Sequence, residues 1–246
     1  MGAKKSENED SYLVGSMTPE GAQAASSILL AVADGMGGHG DGRTASAVTV
    51  DAVARHLFET LPHGAEPADD DAVTAAIEQA FQNAKVRVEQ VAMGEGVSFK
   101  MGTTLTLIFV YGGKFYLGHA GDSRGYKLRG REITRLTKDH TVGEQLREQV
   151  MGTPAEKLVD ARWDNALSNA VGGGCQVLRV ESAILDVAAG DRLLLCSDGL
   201  SVLDDEIVRS LLEAQTFDGD IPQKLVDAAA EAGSHDDITA LVARVG

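Results

Sequence analysis

Ile28-Leu29-Leu30-Ala31-Val32-Ala33-Asp34-Gly35 decides the fold. Six apolar residues in a row, too few for a helix and without polar alternation, read as a strand buried on both faces. Such a strand needs a layer of structure on each side. Asp34 then ends the run abruptly, so the chain leaves the core with a carboxylate at the strand's tip. The pattern returns at residues 192–197, a second buried strand that ends in Asp198-Gly199.

Working outward, Ala45, Val48, Ala52, Val53 and Leu57 recur at helical spacing. Residues 62–71 hold two prolines and three consecutive aspartates, which read as a surface loop ending in an acidic helix start. Val73, Ile77, Ala80, Phe81, Ala84, Val88 and Val91 then form one stripe, long enough to cover a sheet. Residues 105–111, Gly112-Gly113 and 114–117 read as a β-hairpin, and residues 124–129, Gly130 and 131–136 repeat the design. Residues 142–150 read as a short helix. Residues 151–175 lack periodicity and, with their Gly172-Gly173-Gly174 end, predict a flap at about 150–174. Helices over 204–212 and 222–232 and a strand over 238–245 complete the chain. Hairpins flanked by long helices predict one α+β domain over residues 1–246, with helices packed on antiparallel sheets.

Composition bounds the function. The 246 residues carry 22 basic and 37 acidic side chains, a net charge of −15, with 43% hydrophobic residues. A chain this long buries roughly 70–75% of its unfolded surface and needs no staples. The acidic balance excludes a nucleic-acid binder, which needs clustered Lys and Arg, and a protein that docks on anionic lipid. It permits an acidic pocket that collects cations. The two cysteines, Cys175 and Cys196, form no CxxC pair and suit a reducing cytosol. The longest apolar run is too short to span a bilayer, and no apolar segment follows the basic residues at the N-terminus, so the chain reads as cytoplasmic.

The aspartates fall at strand ends. Asp34 and Asp198 directly follow buried strands, Asp122 lies just past another, and Asp236 and Asp237 precede the last. In antiparallel sheets some strand C-termini share an edge with other strands' N-termini, so these positions can converge on one rim. Gathered carboxylates repel unless something positive compensates, and Mg²⁺ or Mn²⁺, with their preference for oxygen ligands, are the natural partners. Gly35 and Gly199 would let the backbone turn sharply and bring a carbonyl close. A single strand-end Asp-Gly is ordinarily a turn signal. The repetition favours metal.

These stretches together resemble the bacterial members of the metal-dependent serine/threonine protein phosphatases, the protein phosphatase 2C family. The matching segments, in family order, begin with Asn8-Glu9-Asp10-Ser11 and Asp34-Gly35-Met36-Gly37-Gly38-His39, the latter followed by Gly42 and Ala45-Ser46. Gly102-Thr103-Thr104, Gly121-Asp122-Ser123-Arg124 and Leu136-Thr137-Lys138-Asp139-His140 come next, then Ser197-Asp198-Gly199-Leu200 and Asp236-Asp237-Ile238-Thr239. Seven weak motifs in order, over residues 5–242, make a strong signal.

The resemblance implies a central β-sandwich of two antiparallel sheets flanked by pairs of helices. It implies Asp34 bridging two Mn²⁺ or Mg²⁺ ions, the Gly35 carbonyl on one, Asp198 and Asp236 on the other, and Glu9 and Asp10 acting through water. A third ion, as in bacterial members, would sit between Asp122 and Asp198. The implied chemistry is hydrolysis of phosphoserine and phosphothreonine in proteins by a metal-bridging hydroxide, in opposition to a bacterial Ser/Thr kinase, by a monomer.

Two positions depart from the family pattern. Lys5 stands where relatives place an Arg that grips the substrate phosphate, and an ammonium lacks the guanidinium's bidentate fork. Met36 stands where eukaryotic relatives have a His; His39, three residues on, is a candidate acid for the leaving group or a residue behind the metal ligands. Arg124 reads as a counter-charge for the carboxylate rim, and His140 as a loop anchor. The competing reading is a non-catalytic phosphatase-like module that binds a phosphoprotein or kinase, prompted by Lys5.

Overall fold

The computed structural model describes residues 7–18, 26–37, 41–62, 67–94, 101–213 and 220–246. Strand β1 (Ser11–Met17) is followed by β2 (Ser27–Ala33), which is covered on both faces as its apolar run demands. Leu29, Ala31 and Ala33 face a layer of helices, whereas Leu30 and Val32 face a second sheet. Period-two alternation thus persists within an all-apolar strand, because each face has its own core.

The helical layer is α1 (Asp41–Thr60) and α2 (Asp70–Gly94). Their stripes, including Val53, Leu57, Ile77, Phe81 and Val88, pack on Leu105, Leu107 and Phe109 of β5 (Leu105–Tyr111). The hairpin to β6 (Lys114–Ala120) turns at Gly112 and Gly113, both at positive φ (56° and 77°), as a two-residue turn with matched twist requires. A Cβ on Gly118 would lie 2.8 Å from Ile77, so the bare backbone there seats α2 against the sheet.

The first sheet runs β1-β2-β5-β6-β10, with β10 at Glu181–Leu185. The second contains β7 (Arg124–Arg129), β8 (Glu132–Arg135), β11 (Arg192–Cys196) and β12 (Ala240–Arg244), in the order β12-β11-β7-β8. Neighbouring strands in both sheets are antiparallel. Leu30, Val32, Ile108 and Leu117 of the first sheet meet Leu193, Leu195 and Leu241 of the second. On the far side, Leu194, Cys196 and Tyr126 pack on α4 (Asp205–Leu212) and α5 (Ile221–Glu231) through Val208, Leu212 and Leu225. The layering is helices, sheet, sheet, helices, as the resemblance implied.

Boundaries moved where pairing overrides pattern. Strand β6 continues three residues past 117 because Gly118 and His119 still pair with Leu107 and Thr106. The strands expected over 131–136 and 238–245 are trimmed to Glu132–Arg135 and Ala240–Arg244. The flap is shifted toward the N-terminus from 150–174. Its neck closes where the Val142 N–H donates to Ala166 O at 2.7 Å and Thr141 bridges Leu167. Between them lie α3 (Val142–Val150) and two 3-10 turns, Pro154–Leu158 and Ala161–Trp163. Beyond the neck, Asn169, Ala170 and Val171 are buried, and β9 (Val171–Gly172) joins β3 (Gly35–Met36) and β4 (Gly102–Thr103) in a small sheet.

Candidate metal centre

Strand register gathers the aspartates. Ser11 pairs with Ala33, so Asp10 before β1 and Asp34 after β2 are neighbours at one sheet edge. Cys196 pairs with both Ala240 and Arg124, which sets Asp198, Asp236 and Asp122 around the end of β11. Backbone and hydroxyl bonds fix the corner. Thr104 Oγ1 accepts the Asp34 N–H at 2.9 Å, the Thr104 N–H donates back to Asp34 O at 2.9 Å, and Thr103 Oγ1 donates to that oxygen at 2.7 Å. Ser197 Oγ donates to Asp10 Oδ2 at 2.8 Å, and Glu9 N–H donates to Asp237 Oδ2 at 3.0 Å.

The electrostatics are one-sided. Burial, and then the charges of Asp10, Asp198, Asp122 and Asp236, hold the Asp34 carboxyl well above the usual carboxylate range. Burial likewise raises Asp10 against the hydrogen bonds of Thr239 and Ser197. Asp122 is pushed up to about 7 by burial, then by Asp198 and Asp139, with Arg124 opposing weakly. Asp10 Oδ1 is buried without a hydrogen-bond partner. A buried acceptor and a knot of mutually repelling carboxylates both fit a hard cation. Among the described residues, no three aspartate oxygens close to within 4.8 Å of one another. That spread suits ions that keep several waters, as Mg²⁺ and Mn²⁺ do, rather than a dry cage.

Gly35 and Gly199 serve close approach, and Gly199 also lies in a tight 3-10 turn over Asp198–Leu200. A Cβ on Gly35 would lie 2.1 Å from Gly42 O and 2.4 Å from Glu9 O, and one on Gly199 would lie 2.0 Å from Asp237 O. Each glycine lets segments of the metal site touch backbone to backbone. Glu9 turns its carboxylate toward Gly42 in the first turn of α1, where Oε1 would be 2.8 Å from a Cβ.

A cleft of about 370 Å³ opens at Asp122 and Asp198 and is bordered by Glu144, Arg147, Asp164 and Asn165 from the 141–167 segment. Arg124 also lines it, but offsets Asp122 only weakly because its guanidinium is engaged elsewhere. Its Nε and Nη2 donate to Asp139 Oδ1 and Oδ2 at 3.2 and 2.8 Å, and Arg135 donates to the same carboxylate. Asp139 therefore takes up the guanidinium. Lys5 and His39 lie outside the described residues.

One other cluster has metal-like spacing: His119, His140 and Glu181, with ligand atoms within 4.8 Å. Its protons argue against a metal. His119 Nε2 faces Lys138 O at 2.9 Å and so carries hydrogen, while burial drops its pKa to about 4 and keeps the ring neutral. His140 Nδ1 accepts the Gly121 N–H at 3.1 Å, which puts the ring hydrogen on Nε2, 3.0 Å from Glu181 Oε1. His140 thus presents a ring hydrogen, not a lone pair, to Glu181. Sequence reading passed over this cluster because its members are far apart in the chain.

With this geometry in hand, comparison with known proteins is specific. The profile of the family described as Protein phosphatase 2C matches residues 4–239. Serine/threonine protein phosphatase PstP of Mycobacterium tuberculosis is 36% identical over 246 residues, covering 99% of this chain and 43% of that protein. The chain thus spans less than half the length of PstP. Serine/threonine phosphatase stp of Listeria monocytogenes is 28% identical over 222 residues, covering 87% of this chain and 83% of that protein. The solved catalytic domain of PstP in complex with two manganese ions superposes with a TM-score of 0.78 at 33% identity, covering 100% of this chain and 95% of that one.

Proposed function

Because this chain belongs to the protein phosphatase 2C family, we propose that it hydrolyses phosphoserine and phosphothreonine in proteins, with Mn²⁺ or Mg²⁺ as cofactor. The observation that carries this reading is the half-buried Asp34 carboxyl in the field of four other aspartates. In the proposed assignment Asp34, Asp198, Asp236 and the Gly35 carbonyl hold two ions, Glu9 and Asp10 act through water, and Asp122 with Asp198 takes a third. When bound, such ions supply Lewis-acid charge for a phosphoryl group and acidify water.

The chain's own residues supply placement. Thr103 and Thr104 hold the Asp34 backbone from both sides, and Ser197 orients Asp10. The 141–167 segment borders the cleft and acts as the flap that guides a phosphopeptide in. Lys5 is assigned to grip the phosphate and His39 to stand behind the ligands or protonate the leaving oxygen. A net charge of −15 disfavours polyanionic partners. Among the described residues no helix is long and apolar enough to cross a membrane. The reading extends to a monomer, in the cytoplasm, opposing a Ser/Thr kinase.

The test is phosphate release from a phosphothreonine peptide with Mn²⁺, with Mg²⁺ and with excess chelator, alongside Asp198→Asn. Metal-dependent release that disappears in the variant is expected. Tight metal binding with no release under any condition would instead favour the non-catalytic module that binds a phosphoprotein or kinase.

A further inference from the structure

We propose that His140 is a positioning residue that locks the Gly121–Asp122 corner to the base of the 141–167 segment, making the Asp122 carboxylate and the flap's neck one mechanical unit. The inference rests on the metal-phosphatase reading for its catalytic meaning but not for its test.

Every polar atom of His140 joins separate parts of the chain. Its N–H donates to Gly121 O at 2.8 Å, and its ring Nδ1 accepts the Gly121 N–H at 3.1 Å, a two-point clamp on one residue. Its carbonyl accepts the Ser168 N–H at 2.9 Å, and Asn169 Nδ2 donates to Nδ1 at 2.9 Å, so the same residue grips the exit of the segment. The entry follows directly: Thr141 caps α3 by accepting the Glu144 N–H at 3.2 Å. Nε2 donates to Glu181 on β10. Beneath the ring lies His119, centroid to centroid at 4.7 Å, with both nitrogens already engaged, which fixes the plane of His140.

The clamped corner has no slack. Gly121 sits at φ +118°, and a Cβ there would lie 2.5 Å from Thr104 Cβ. Thr104 Oγ1 accepts the Asp34 N–H and bonds Ser123 Oγ at 2.7 Å. Asp122 is therefore held toward Asp34 on one side, through Ser123 and Thr104, and toward the flap on the other, through Gly121 and His140. Metal sites demand ligand placement within about 0.5 Å. Residues that orient ligands cost roughly 10–100-fold in metal affinity or activity when removed.

Two substitutions separate the clamp from mere bulk. In His140→Asn the amide oxygen can stand near the place of Nδ1 and accept the Gly121 N–H. In His140→Gln the amide reaches the place of Nε2 and serves only Glu181. The experiment is calorimetric titration of the metal-free chain with Mn²⁺, on wild type, H140N, H140Q, D122N and D122N/H140Q. The binding event missing in D122N defines the Asp122-dependent site. H140Q is expected to weaken that event about tenfold or more, H140N to stay within about threefold, and H140Q to change nothing further in the D122N background. Identical binding by wild type and D122N would overturn the proposal. So would an unchanged H140Q, an H140N as impaired as H140Q, or an H140Q effect that persists without Asp122. Melting curves identify the folded variants. Should H140Q fail to melt cooperatively, His140→Ala replaces it under the same expectations. Calorimetry needs no turnover, so an inactive wild type would sink the phosphatase reading while leaving this one decided by binding.

Discussion

Asp122→Asn should stabilise the metal-free chain, and by an amount that depends on pH. The folded protein holds the Asp122 proton up to a pKa of about 7, against an ordinary value of 3.8. Between those values the native state keeps a proton that the unfolded chain has lost. Native stability therefore falls as pH rises through the window and levels off above about 7. Asparagine never ionises and escapes the loss. One pH unit corresponds to about 1.4 kcal/mol, so the two units between pH 5 and 7 are worth about 2–3 kcal/mol. For a chain of this length that converts to roughly 4–12 °C in Tm. Differential scanning calorimetry in excess chelator, at pH 5 and pH 7.5, reads it directly. The variant's advantage over wild type should widen by that amount at the higher pH. A gap of equal size at both pH values, or one that narrows, would refute the electrostatic argument. Added Mn²⁺ should reverse the order, because the cation rewards the charge that the variant lacks.

Two further outcomes follow from the geometry. Gly199→Ala puts a methyl 2.0 Å from the Asp237 carbonyl and should cost about 1–3 kcal/mol. It should also weaken Mn²⁺ binding, whereas Gly125→Ala, whose nearest contact would be an ordinary 3.4 Å to Leu195, should leave binding unchanged in the same calorimetric titration. Lys5→Arg restores a bidentate donor and should raise kcat/KM on phosphopeptides; steady-state kinetics showing no change or a loss would remove Lys5 from the phosphate site.

Helices packed on antiparallel sheets were legible because the strands are apolar runs and the helices carry regular stripes, and the resemblance added the two-sheet sandwich. The aspartates were legible because each interrupts such a run or stands at its edge. Strand β10 was not, since Glu181–Leu185 is mostly exposed and alternates weakly. Strands β3, β4 and β9 are only two residues long and exist through pairing alone. The close approach that Gly35 and Gly199 serve was not legible, because it depends on segments that meet only in the fold. Arg124 was read as a counter-charge for the whole rim, while the fold pairs it with Asp139, fifteen residues on. His140 was legible as a loop anchor, but not what it anchors, since Gly121, Asn169 and Glu181 meet it only in three dimensions.

Asp10 and Asp237 stand at opposite ends of the chain, and the Glu9 N–H reaches the Asp237 carboxylate across a separation of 228 residues. On the ribosome, where the N-terminal part emerges first, Asp10 and Asp34 are exposed long before Asp236 and Asp237 have been made. The growing polypeptide can fold α1, α2 and much of the first sheet while the carboxylate ring stays open. Completion of the ring thus waits for residues 236 and 237 to be made. A nascent chain that has not yet reached Asp236 holds only part of its metal site, with its early aspartates in place and their partners absent.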